Sequence, residues 1–117
     1  MAENILPGAR VSPRLANGAI CWYAGDTFTV QLLLELADQD GAAVTIGAAD
    51  TVKVTFYDKQ RQLVKEFSFT GPAGNTVSLV FDAGVTALFP KGDYTYDILY
   101  TYANKTTLAR DNRARVE

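Results

Sequence analysis

Histidine is absent from the 117 residues, and cysteine occurs once, as Cys21. Without imidazole there is no Ser-His-Asp or Cys-His catalysis, no His-ligated metal and no pH switch of the usual neutral-range kind. A single thiol excludes an internal disulfide and a Cys-rich zinc site. Long apolar runs are missing too: none approaches the roughly 18–20 residues that cross a bilayer as a helix. The opening segment MAENILPGARVSPRLANGA is broken by Glu3, Asn4, Pro7, Arg10 and Arg14 and offers no apolar core for a secretory leader. A lone thiol suits a reducing compartment, or any compartment if it is buried. Charge of one sign is scarce as well. Eleven Lys and Arg against thirteen Asp and Glu leave −2, which gives no whole-chain reason to expect a nucleic-acid partner.

What remains is 48% hydrophobic and 21% charged, a composition that folds. The length is that of one domain with a real core. Residues 1–18, rich in Gly, Pro, Asn and Arg, read as an irregular arm that lies on the domain or on a neighbour. Residues 19–117 read as a single domain. Ala19–Tyr23 is a short first strand. Thr27–Leu36 alternates with Phe28, Val30, Leu32, Leu34 and Leu36 on one face, which is the period of a half-buried strand and leaves Leu33 on the wrong side. Thr51–Tyr57, Leu63–Phe69, Thr76–Phe81, Tyr94–Tyr102 and Thr106–Val116 follow. Polar or Gly/Pro turns lie between them, and Ala83–Phe89 forms one helical turn closed by Pro90 and Gly92. Regular short strands with almost no helix predict an all-β fold of antiparallel sheets, about seven strands in a sandwich or barrel.

Candidate chemistry is thin. Asp38-Gln39-Asp40-Gly41 opens like a calcium loop, but Ala42 and Ala43 follow and no Glu closes it, so it reads as a hairpin turn; a weak site shared with Asp50 is the other reading. Cys21, beside Trp22 in an apolar run, reads as a buried structural thiol. Asp93 and Asp97 lie about 13 Å apart on one strand face, too far for a glycosidase pair. No cofactor, no metal and no enzymatic activity are expected. The Tyr-rich strand Tyr94, Tyr96, Tyr100, Tyr102 fills a core or, with Trp22, Tyr23 and Tyr57, forms a binding face. The last thirteen residues are locally basic, with Lys105, Arg110, Arg113 and Arg115 against Asp111 and Glu117, whereas residues 26–104 carry ten acids and five bases. That asymmetry reads as a charged, protected edge strand or as electrostatic complementarity between copies.

Lys91-Gly92-Asp93-Tyr94-Thr95-Tyr96 opens a strand after a helical turn, and its Gly-x-Tyr resembles the tyrosine corner of immunoglobulin-like domains, with Tyr94 bonding back to the preceding loop. The fold expected is therefore an immunoglobulin-like antiparallel β-sandwich. More widely, Gly25-Asp26-Thr-Phe-Thr-Val-Gln-Leu, Asp40-Gly41 and Leu88-Phe-Pro-Lys-Gly92-Asp93-Tyr94-Thr-Tyr-Asp-Ile are similar to the N-terminal domain of phage baseplate upper proteins, and Thr107-Leu-Ala-Arg110 to Arg115-Val116 resembles their closing polar strand. The resemblance runs over residues 25–116. It implies a non-enzymatic structural or assembly protein of a phage or prophage tail or baseplate, found in the virion or, before assembly, in the bacterial cytoplasm. Its partners would be other particle proteins or copies of itself as a homo-oligomer, with no membrane or nucleic acid. The residues expected at such contacts are Arg10, Arg14, Leu33, Tyr57, Arg110, Arg113 and Arg115. The alternative is a monomeric β-sandwich that binds carbohydrate or a cell-surface protein through a Tyr/Trp face. Within the expected core, Phe28→Ala and Phe56→Ala should each cost about 3–5 kcal/mol.

Overall fold

The computed structural model describes residues 14–16, 19–36, 40–102 and 105–117, the side chains of residues 14–16, 102 and 105–111 excepted. The fold is all-β, built of two sheets and one short helix. The strands are β1 (Arg14–Ala16), β2 (Ala19–Trp22), β3 (Phe28–Leu33), β4 (Thr51–Tyr57), β5 (Leu63–Thr70), β6 (Thr76–Phe81), β7 (Gly92–Tyr102) and β8 (Lys105–Val116); α1 (Ala83–Thr86) is the helix. Six strands form one sheet in the order β1-β2-β8-β7-β4-β5, and β3 and β6 form the second. That makes eight strands among the described residues. The one the hydrophobic pattern does not announce is β1, which lies inside the segment expected to be an irregular arm and pairs Arg14 with Cys21 and Ala16 with Ala19. The rest of that arm lies outside the described residues, as do Asp38 and Gln39 of the expected turn.

Alternation decides which face each strand buries. Val52, Val54 and Phe56 of β4, Tyr94, Tyr96 and Tyr100 of β7, Ala114 and Val116 of β8 and Val77, Leu79 and Phe81 of β6 all point into one core. The sheets meet there through aromatic rings. Phe81 of the small sheet lies 5.8 Å from Phe56 and 5.4 Å from Phe67 of the large one, and Trp22 lies 5.2 Å from Phe28 and 5.1 Å from Phe81. Phe89, delivered by the turn after α1, closes the cluster against Trp22, Phe56 and Tyr94. The helix starts where Asp82 caps it, accepting the Val85 N–H at 2.9 Å.

Two long-range devices fix the frame. β2 runs parallel to β8, pairing Ala19 with Arg113 and Trp22 with Val116, so the large sheet is mixed rather than antiparallel throughout as the pattern predicts; Glu117 is stitched to the end of β2 by Glu117 N–H to Trp22 O at 2.8 Å and Ala24 N–H to Glu117 O at 2.9 Å. Asn75, held at φ +55°, clasps the loop after β3: its amide donates to Val44 O and Leu34 O while its carbonyl accepts the Ile46 N–H. Asn is one of the few residues that accept a left-handed backbone readily.

Candidate interaction surface

The outward face of the large sheet is set by the same register that fills the core. Tyr57 stands opposite Thr95, and Thr95 opposite Arg113, so these side chains form one row across β4, β7 and β8. A register shift after Phe56 places Leu63 opposite Tyr57 at the start of β5, where it is 61% exposed. The intervening turn is tight. Asp58 accepts the N–H groups of Gln60 and Gln62, both at 2.9 Å, and its carbonyl accepts the Arg61 N–H at 3.0 Å. This turn holds Arg61 at φ +59° and lays its guanidinium over the Tyr57 ring, 4.4 Å from the centroid. From there Nη1 donates to Thr95 Oγ1 at 3.0 Å and Nη2 to Asp97 Oδ2 at 3.4 Å.

The electrostatics of this face are uneven. Asp97 keeps only 12% of its side chain exposed, so its pair with Arg61 is poorly screened and holds the guanidinium in place. Asp93 bridges Arg115 at 3.8 Å and Lys59 at 3.9 Å, but all three side chains are more than 60% exposed, and such pairs contribute little to stability. Tyr57 with its stacked Arg61 lies at the hairpin end of β4 beside the exposed Leu63, on the same face as Arg113 and Arg115, and Tyr and Arg are the residue types that protein interfaces favour.

The expected contact residues fall into three groups. Tyr57, Arg113 and Arg115 come together on this face. Leu33 sits on the other sheet, 63% exposed, and faces away from the core because β3 keeps Phe28, Val30 and Leu32 inward. Arg14 lies in β1 and Arg110 in β8, their side chains outside the described residues, and Arg10 is outside them altogether. Arg61 and Leu63 belong to the surface but escape a sequence reading. The available signal is the polar turn Asp58-Lys-Gln-Arg61 directly after a strand-ending Tyr, which brings the fourth residue back over the ring.

The first three tyrosines of the aromatic strand are interior, and the side chain of Tyr102 lies outside the described residues. Trp22 is fully buried, Tyr94, Tyr96 and Tyr100 are buried, and they are not a surface on which a sugar could stack. Tyr94 makes the bond its sequence context predicts: its hydroxyl donates to Pro90 O at 2.5 Å, four residues upstream. Burial raises the Tyr94 phenol above its ordinary 10.0, with the negative charge of Asp58 adding to the effect, and burial alone raises Tyr96. Tyr100 donates to Asp50 Oδ2 at 3.2 Å, and the same oxygen accepts the Gly47 N–H at 2.9 Å, so Asp50 is engaged in holding its own loop. Cys21 is buried, its Sγ 3.8 Å from Ala19 O, as its apolar setting predicts.

Comparison of the chain with protein-family models, curated proteins and solved structures returns no match.

Proposed function

We propose that this chain is a non-enzymatic structural or assembly module of a phage or prophage particle, of the tail or baseplate type, acting through protein–protein contacts. The observation that carries the reading is the outward Tyr57–Arg61–Leu63 cluster with Arg113 and Arg115 on the same face, a surface composed for contact with protein. The particle context rests on the sequence resemblance over residues 25–116. Strand order supports the finer fold that the resemblance implies, an immunoglobulin-like β-sandwich. β3 pairs with β6 as B pairs with E. β8, β7 and β4 follow one another as G, F and C do, and β5 takes the place of the additional strand beside C. Tyr94, at the start of the F-like strand, supplies the corner bond. The glycan-binding alternative has less support, because Trp22, Tyr94, Tyr96 and Tyr100 are in the core, which leaves it the half-buried Tyr23 and Tyr57.

The test is whether the chain travels with particles. Lysate from the source culture, after induction of any resident prophage, is banded on a density gradient and probed with an antibody raised against this chain. Co-banding with tails or whole particles, and gold label at one end of them in the electron microscope, is expected. A chain recovered wholly in the soluble fractions while particles band without it overturns the reading.

A further inference from the structure

The charges of this chain are sorted by segment. Residues 15–52 and 67–90, which build the two-stranded sheet and its loops together with β2 and parts of β1, β4 and β5, contain six acids and no Lys or Arg. Residues 53–66 and 91–117, which supply most of β4 and half of β5 together with β7 and β8, contain nine Lys and Arg against six acids.

The outward face of the small sheet is neutral in the middle and acidic at its ends. Thr29 lies opposite Val80, Gln31 opposite Ser78 and Leu33 opposite Thr76. Leu33 and Val80 are 63% and 53% exposed. Glu35 continues the outward row beyond Leu33, and Asp82 continues it beyond Val80; both are exposed. The outward face of the large sheet carries bases instead, Lys53, Arg113 and Arg115, with Leu63, Tyr57 and the stacked Arg61 at the corner where the chain turns from β4 into β5. Of its acids, Asp97 is matched by Arg61 and Asp93 by Arg115 and Lys59, while Glu66 accepts from the Thr55 hydroxyl at 3.5 Å. Lys53 and Arg113 form no ion pair among the described residues.

The spacings correspond. At about 3.3 Å per residue, Glu35 and Asp82 stand about 26 Å apart along the small sheet. On the large sheet Arg115 and Lys53 are separated by six residues along the strands and two strand spacings, about 22 Å. Long basic side chains cover the difference.

We infer that the acidic face formed by β3 and β6 docks on the Tyr57–Arg61–Leu63 face of a second copy of this chain, so that copies associate head to tail. This rests on the assembly reading above and gives it a geometry. Two different patches on opposite faces make a heterologous contact, which propagates into a ring or a stack rather than closing as a two-fold dimer. The contact is weak singly. Two six-residue strands present about 200 Å² of flat face, well short of the roughly 800 Å² per partner of a standard interface, so the flanking loops and the charges must contribute. Its strength therefore depends on concentration and on salt.

Sedimentation velocity of the full chain tests this, over a range of concentrations in about 20 mM and about 500 mM salt. The weight-average mass should rise with concentration at low salt and return to that of a monomer at high salt. Two double variants then assign the faces: Lys53→Glu with Arg113→Glu, and Thr29→Lys with Glu35→Lys. All four residues are exposed, and a thermal melt of each variant checks that it folds. Each variant alone should stay monomeric at low salt, and an equimolar mixture of the two should associate again, because one then carries two acidic faces and the other two basic ones. Wild-type chain that stays monomeric at low salt overturns the self-docking inference, and so does association that survives in either variant alone. Neither result touches co-banding with particles, so the two proposals fail separately.

Discussion

Phe56→Ala probes the centre of the fold, and the structure separates it from a substitution that looks equivalent in the sequence. Phe56 is fully buried, and its ring lies within 5.0–5.9 Å of Tyr96, Phe89, Phe81 and Phe67, residues contributed by both sheets and by the turn after α1. Removing it deletes a ring that no other side chain can replace, and Phe→Ala in such a setting costs about 3–5 kcal/mol. A domain of this length has roughly 6–18 kcal/mol of stability to lose. Phe28 is half-buried, stacked on Phe81 at 4.6 Å and touching Trp22, so part of its surface is already in water and Phe28→Ala should cost about 2–3 kcal/mol. Urea unfolding followed by fluorescence reads both, since Trp22 is the only tryptophan. With a slope near 2 kcal/mol per molar, Phe56→Ala should lower the midpoint by roughly 1.5–2.5 M at unchanged slope. Lys53→Ala, on the outward face of the same strand, should move stability by less than about 0.5 kcal/mol. A Phe56→Ala loss below about 1 kcal/mol, or one no larger than that of Phe28→Ala, would refute the placement of the core.

Tyr94→Phe removes the hydroxyl bond to Pro90 while keeping the ring and should cost about 1 kcal/mol in a chemical unfolding curve; an unchanged midpoint would deny the corner any role in stability. Because Tyr94 and Tyr96 are raised above 10.0 in the folded chain, their contribution is complete below about pH 10 and is lost as pH climbs through the folded values. Unfolding midpoints measured from about pH 8 to pH 12 should therefore be level at first and then fall, and a level profile throughout contradicts the burial of these phenols. Gly71 sits at φ +57° with Ala48 O only 2.7 Å from where a Cβ would stand, so Gly71→Ala should cost about 2–4 kcal/mol. Gly25, at φ +86° with open space around it, should lose only about 1 kcal/mol on the same change, and calorimetry showing the reverse order would refute the close approach at Gly71.

The residues that announce themselves in the sequence are those whose fate is local. Thr51–Tyr57 and Thr76–Phe81 alternate without interruption, and they are β4 and β6 residue for residue. Tyr94 is legible because its hydrogen bond reaches back only four residues. Leu33 reads as outward, since four inward neighbours of period two leave it no other side. Thr27–Leu36 reads longer than β3 proves to be because the inward pattern continues past the last paired residue: Leu34 is buried and Leu36 packs on the core after the ladder has ended. What the sequence conceals depends on distant partners. No periodicity says that β2 runs parallel to β8 or that Asn75 secures a loop more than thirty residues away. The contact face is half legible for the same reason. Tyr57 and Arg113 stand out by residue type, but their meeting is a matter of register, and the stacking of Arg61 depends on a turn conformation that residue type alone does not specify.

The parallel pairing of β2 with β8 bears on how the chain acquires its shape during synthesis. β8 is the last strand in chain order, yet it lies inside the six-stranded sheet, between the second strand and the seventh. A nascent chain that has produced everything up to Tyr102 therefore exposes two open strand borders, on β2 and on β7, at the place where the sheet will later be continuous. Ala19 waits for Arg113, nearly the whole length of the chain, before it has its neighbour. Pairings of such long range fold slowly, and open borders recruit other strands in the meantime. Truncation within β8 should consequently not shorten the sheet at its rim but split it through the middle, leaving a chain that accumulates as aggregate rather than as a smaller folded domain.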